Sequence, residues 1–167
     1  MPNWCMNNLK VSHPDPAKLQ EFVDAYNSGN TCEHYLPTPK DDNGDVIKDE
    51  DSPNYWYVWN INNWGTKWDF GKSEHDDPIT IENGEVAVSV DTAWSPPIQF
   101  LEHLTELGYN VRCSYWEPGM AFCGIWDNGN DNYIEYSGSD KAEEAIPVAL
   151  WNEFGMSEFF EDEPEEV

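Results

Sequence analysis

Two stretches of the chain open with the same helix-start grammar, and the apolar residues between and after them fall into short β-like runs. In DPAKLQEFVDAY, Asp15 is placed to cap, Pro16 takes the first helical position, and Leu19, Phe22, Val23 and Tyr26 recur at helical spacing. In SPPIQFLEHLTELG, Ser95 is placed as the cap and Pro96 as the start. There Ile98, Leu101 and Leu104 build the apolar face, and Gly108 ends the helix. Ahead of the first helix, Trp4 to Ser12 reads as a strand with Cys5, Leu9 and Val11 on one face, interrupted by Asn7. Between the helices, ITIENGEVAVSVDTAW reads as a hairpin about an Asn-Gly turn, with Val86, Val88 and Val90 alternating. After them, VRCSYW, MAFCGIW and NYIEY are joined by loops short enough for an antiparallel meander. This order predicts an α+β fold, an antiparallel sheet with its helices packed on one face.

The remaining segments divide the chain. TCEHYLPTP is predicted to run extended into an acidic loop at 41–51, which is expected to be exposed. NYWYVWNINN packs four aromatics into Tyr55 to Trp59 and is read as a short helix. These segments belong to one domain over 1–138. A C-terminal helical segment follows at 139–156, with Ser139 as its cap and Pro147 bending it or starting a second helix. Residues 157–167 are expected to form a frayed acidic tail.

Charge narrows the partners. The chain has 33 acidic and 8 basic residues, a net charge of -25, and a field of that sign repels phosphate backbones and anionic lipid surfaces. Nucleic acid and membranes are therefore not expected as direct partners. Nine tryptophans and 14% aromatic residues supply the buried area that acidic disordered chains lack. MPNWCMNNLKVS has neither the basic start nor the apolar run of an export signal, so a cytoplasmic protein is expected.

Chemistry-bearing motifs are scarce. Cys5, Cys32, Cys113 and Cys123 contain no CxxC. A loop over Glu117 to Met120 would pair Cys113 with Gly124 and put Cys113 and Cys123 on opposite faces of the sheet. Asp41, Asn43, Asp45 and Glu50 match part of a calcium loop around Gly44, but Pro39 stands at its first position. Cys32 and His34 lack the second pair that a zinc site needs. Glu117 and Asp127 form a carboxylate pair of a kind that 33 acids produce by coincidence. No nucleophile elbow, phosphate loop or cofactor motif occurs, so neither a metal nor a cofactor is expected and the reading leans away from an enzyme.

The segment NINNWGTKWDF places one of eight basic residues, Lys67, between two tryptophans. Lys67 can lie on Trp64 while its ammonium meets Asp69 or Asp91, which is a packing role. Alternatively, Asn63, Trp64, Lys67, Trp94 and Ser95 line one end of the sheet and hold a small anion or a partner's carboxylate. Trp64, Trp68 and Trp94 are expected to be buried near one another.

MPNWCMNNLKV, NWGTKWD and TAWSPP together resemble the YubB-type ferredoxin-like family of phage and plasmid proteins, also called the Api-ninety-two-like family. The resemblance spans about residues 1–138 and implies a ferredoxin-like α+β domain on a mobile genetic element. It implies no catalytic residue. With the acidity, it leads to the expectation of a phage or mobile-element accessory protein that binds a host protein's basic surface, in the manner of a nucleic-acid mimic. The acidic candidates are Asp41, Asp42, Asp45, Asp49, Glu50 and Asp51, together with Glu158, Glu161, Asp162 and Glu163.

Overall fold

The computed structural model describes residues 2–161. Its sheet is built from β1 (Trp4–Ser12), β2 (Glu85–Ala93), β3 (Asn110–Glu117), β4 (Phe122–Asp127) and β5 (Asn130–Glu135). All neighbours pair antiparallel, in the order β2-β1-β3-β4-β5. The helices are α1 (Pro16–Asn27), α2 (Thr31–Tyr35), α3 (Trp56–Trp64), α4 (Ile98–Glu106), α5 (Ser139–Ala145), α6 (Val148–Glu153) and α7 (Met156–Glu161). The class is α+β.

Helix α1 starts where its own residues dictate, with the Asp15 carboxylate accepting the Ala17 N–H at 2.9 Å. It contributes Leu19, Phe22, Val23 and Tyr26 to the main core, and α4 adds Phe100, Leu101 and Leu104. Both pack against Cys5, Leu9 and Val11 of β1, Val86 and Val90 of β2, and Val111, Cys113 and Tyr115 of β3. Asn7 is buried on that same face. Its carboxamide donates to Cys5 O, Val90 O and Thr92 Oγ1 at 2.9, 3.2 and 2.9 Å, which satisfies a polar group that would otherwise be costly there.

The other face is covered as well. Met6, Trp116, Cys123, Ile125 and Ile134 pack against Ala142, Leu150 and Met156 of the C-terminal helices and Ile146 between α5 and α6. The sheet is therefore layered on both sides at β3 and β4, whose near-continuous apolar runs need cover on each face. Pro147 separates α5 from α6, and α7 occupies the first part of the segment expected to be a frayed tail.

Four local expectations are corrected. TCEHY is helical, since the N–H groups at the start of α2 find a carboxylate from a distant segment, Asp69. Ser95 does not cap α4, which begins at Ile98 beyond both prolines. The strand run ITIE makes only one bridge, Glu82 to Glu85, because the Asn27 carboxamide takes both the N–H and the C=O of Ile79. The β3–β4 pairing is shifted by two residues, matching Cys113 with Trp126 and Trp116 with Cys123. A shift of two preserves parity, so the two thiols still lie on opposite faces.

Candidate functional site

The backbone around Lys67 is held from three directions. Helix α3 ends at Trp64, and Gly65 reverses the chain in the left-handed region at φ 78°, with its N–H on Ile61 O at 3.1 Å. A Cβ at Gly65 would also press on the Pro97–Ile98 backbone, so glycine is required twice over. The Asn60 carboxamide then donates to Lys67 O at 3.0 Å and accepts the Thr38 hydroxyl at 2.7 Å. The Asp69 carboxylate accepts the N–H groups of Cys32, Glu33 and Phe70 at 2.6, 2.8 and 2.7 Å. Burial raises the Asp69 pKa, and these three donors oppose that rise.

The second wall comes from the end of β2. Trp94 sits at φ 66°, a strained conformation for a residue with a bulky side chain. Its N–H donates to Asn3 O at 2.8 Å, the Thr92 hydroxyl donates to Ser95 O at 2.6 Å, and the Ser95 hydroxyl donates to Gly65 O at 2.8 Å. The strained turn is thereby fixed at both ends and tied to the α3 terminus.

Together these segments place the Lys67 ammonium over four rings. It lies 4.6 Å from the ring centre of Trp68, 5.3 Å from Tyr57, 5.5 Å from Trp94 and 5.9 Å from Trp56. Trp94 meets Tyr57 edge-on at 6.3 Å, and Trp68 leans on Trp4 at 5.9 Å. None of the ion pairs among the described residues involves Lys67. The expected carboxylate partner, Asp69, is turned to the amides of α2 instead.

Of the five residues expected at this end, Lys67 and Trp94 come together in the cage and the other three do not. Trp64 is 3% exposed, donates its indole N–H to Leu36 O at 2.9 Å and belongs to the main core. Asn63 donates back to Trp59 O on its own helix, and the Ser95 hydroxyl is spent on Gly65. The expectation that Trp64, Trp68 and Trp94 are buried together is corrected too, since Trp68 is 41% and Trp94 38% exposed. Trp56, Tyr57 and Trp4 were missed. The first two sit in the opening turn of α3, about two turns from Trp64, so what separates them from the core residue is distance along the helix axis, which the apolar periodicity does not register.

Two hollows flank Trp4, which is 47% exposed. One, of about 610 Å³, is lined by Trp4, Met6, Asp91 and Glu117 among others. The other, of about 460 Å³, runs between Ser89–Ala93 of β2 and Asp69–Gly71. Glu117 is buried and its carboxylate accepts the N–H groups of Gly119 and Met120 at 2.8 and 2.7 Å, so it shapes the β3–β4 turn. The acidic candidates from Asp41 to Asp51, with Glu158 and Glu161, are exposed, and Asp162 and Glu163 lie outside the described residues. Asp41 uses its carboxylate on the N–H groups of Asn43 and Asp45. Among the described residues, no three His, Cys, Asp or Glu side chains are grouped to hold a metal, and no helix is long and apolar enough to cross a membrane.

No protein-family model, curated protein or solved structure matches the chain.

Proposed function

We propose that this is a non-enzymatic binding protein that engages the basic surface of a partner protein through its acidic exterior, while exposed indoles supply the salt-resistant contact. The observation that carries this reading is the gathering of three exposed tryptophans, Trp4, Trp68 and Trp94, at one end of the sheet in a chain of net charge -25. Exposed aromatics are the commonest anchors of protein interfaces, and a uniform negative field speeds encounter with cationic partners. Arrays of carboxylates can stand in for phosphates at an Arg- or Lys-lined surface, which makes a nucleic-acid-binding protein a suitable partner.

The resemblance to phage and plasmid proteins supports a host protein as that partner. It also supports a ferredoxin-like reading of the sheet, with which the passage of β2-α4-β3 to either side of β1 is compatible. An anion at the lysine is disfavoured, because the surrounding field is negative and neither Ser95 nor Trp64 faces the ammonium.

The test is capture from host lysate over a salt series, with proteins identified by mass spectrometry. The acids of 41–51 and the C-terminal acids are converted to Asn or Gln in separate variants that retain the fold. A basic protein captured by the parent should be lost from one or both variants and should fall away steeply with salt, since exposed charges are screened within about 8 Å at physiological ionic strength. Capture that is indifferent to both changes would overturn the acidic-surface mechanism.

A further inference from the structure

The four rings around Lys67 converge on a point that already holds a cation, and nothing anionic among the described residues shares it in an ion pair. Ring faces carry the negative part of the aromatic quadrupole, so such an arrangement selects for positive charge, most strongly when the cation is weakly hydrated. A lysine ammonium is compact and strongly hydrated. It is therefore a weak occupant of a cage suited to a quaternary ammonium.

We propose that the cage of Trp56, Tyr57, Trp68 and Trp94 is an alkylammonium-binding site that Lys67 occupies as an internal placeholder, displaced by an N-methylated ammonium group of a ligand. Three observations support displacement over permanent packing. Lys67 is only partly buried, and its side chain is unbranched, so it leaves by rotation of its own bonds. Its carbonyl is held by Asn60, and the following Asp69 is bound to three amides, so the cage walls do not depend on the ammonium for their position. Trp94 is kept at positive φ by bonds on both sides, and strain of that kind collects where a side chain must be presented to a ligand.

The overall charge of -25 favours cations at this site over the small anion that a lone lysine first suggests. The inference deepens the binding reading above, with which it shares Trp68 and Trp94 but none of the acidic residues. It can fail while the acidic surface still captures its partner, and the reverse is equally possible.

The probe is choline, with 3,3-dimethylbutanol as the neutral molecule of the same shape, and the readout is the shift of the tryptophan indole N–H signals in NMR titrations. Lys67→Ala should bind choline at least about tenfold more tightly than the parent, the gain should vanish in Lys67→Ala/Trp68→Ala, and the neutral analogue should bind neither. The folded parent supplies an independent reading should Lys67→Ala fail to fold. Saturating choline should raise the rate of Lys67 acetylation by acetic anhydride several-fold, measured by peptide mass spectrometry, as the ammonium is expelled to solvent. No gain in affinity on removing Lys67 would overturn the proposal, as would equal binding of the neutral analogue. For the parent arm, the overturning result is an acetylation rate that choline leaves unchanged.

Discussion

The Ser95 hydroxyl donates to the carbonyl of Gly65 at 2.8 Å, joining the residue after the strained Trp94 to the residue that ends α3. This one bond spans the two segments that form the walls of the cage. It explains why a serine placed to cap a helix has its side chain elsewhere.

Ser95→Ala should therefore destabilise the fold by about 1–3 kcal/mol, because the buried Gly65 carbonyl is left without this donor. Urea unfolding measures the loss. A change below a few tenths of a kcal/mol would mean that water replaces the hydroxyl and that the clamp is weak.

At Trp94 the usual order of glycine and alanine should reverse. In ordinary helix or strand positions alanine is the more stable by up to about 1 kcal/mol, but at φ 66° only glycine avoids the left-handed penalty of about 1–2 kcal/mol. Trp94→Gly is expected to unfold at a higher urea concentration than Trp94→Ala, with both variants losing ring contact to Lys67. If alanine proves the more stable, the backbone relaxes freely and the strain is not held by the surrounding bonds.

Trp64 and Trp68 make a matched comparison four residues apart in one motif. Trp64→Ala should cost about 3–5 kcal/mol as a buried ring is removed from the core and Leu36 O loses its donor. Trp68→Ala should cost far less, near 1 kcal/mol, since that ring is 41% exposed. Similar losses for the two would contradict their placement on opposite sides of the turn.

Parts of this structure were legible in the sequence where the determining residues are local. Asp15 and Pro16 start α1 with their own atoms, and the alternation in β1 sets its buried face. α2 was not legible, because the carboxylate on its first amides is Asp69, 37 positions from Cys32. The same holds for the cage. In WGTKW both indoles lie within three positions of the lysine, but Gly65 turns one into the core and leaves the other at the surface, while Trp56, Tyr57 and Trp94 arrive through tertiary packing. The covered second face was hinted at by apolar residues on both sides of β3 and β4, a signal that reading each strand as one-sided overlooks.

The four thiols should be inert in the native protein. All four are buried, and burial pushes Cys123 up to about 11 and raises Cys5, Cys32 and Cys113 as well, so thiolate is scarce at neutral pH. A disulfide-exchange reagent should label none of them in buffer and four in denaturant. Rapid native labelling of even one would mean that its layer of the core opens readily.

Asp69 gives the final prediction, a pH dependence opposite in sign to that of most carboxylates. Burial holds its folded pKa above the ordinary aspartate value, so between the unfolded and folded pKa the native state binds more protons at this site than the unfolded state. Stability contributed by Asp69 is therefore greatest below about 3.8 and declines as pH rises through the folded pKa. Salt-bridged acids such as Glu21, whose pKa is lowered first by its hydrogen bond with His34, act in the other direction. Asp69→Asn removes the titration but sets an amide N–H against one of the three N–H donors, Cys32 and Glu33 at the start of α2 and Phe70, so the variant should be the less stable protein in acid. The difference in unfolding free energy between parent and variant, followed by urea titration from pH 3.5 to 7, isolates the site. It should shrink steadily as pH rises; a difference that grows instead would show that the three amide donors outweigh burial and lower the pKa.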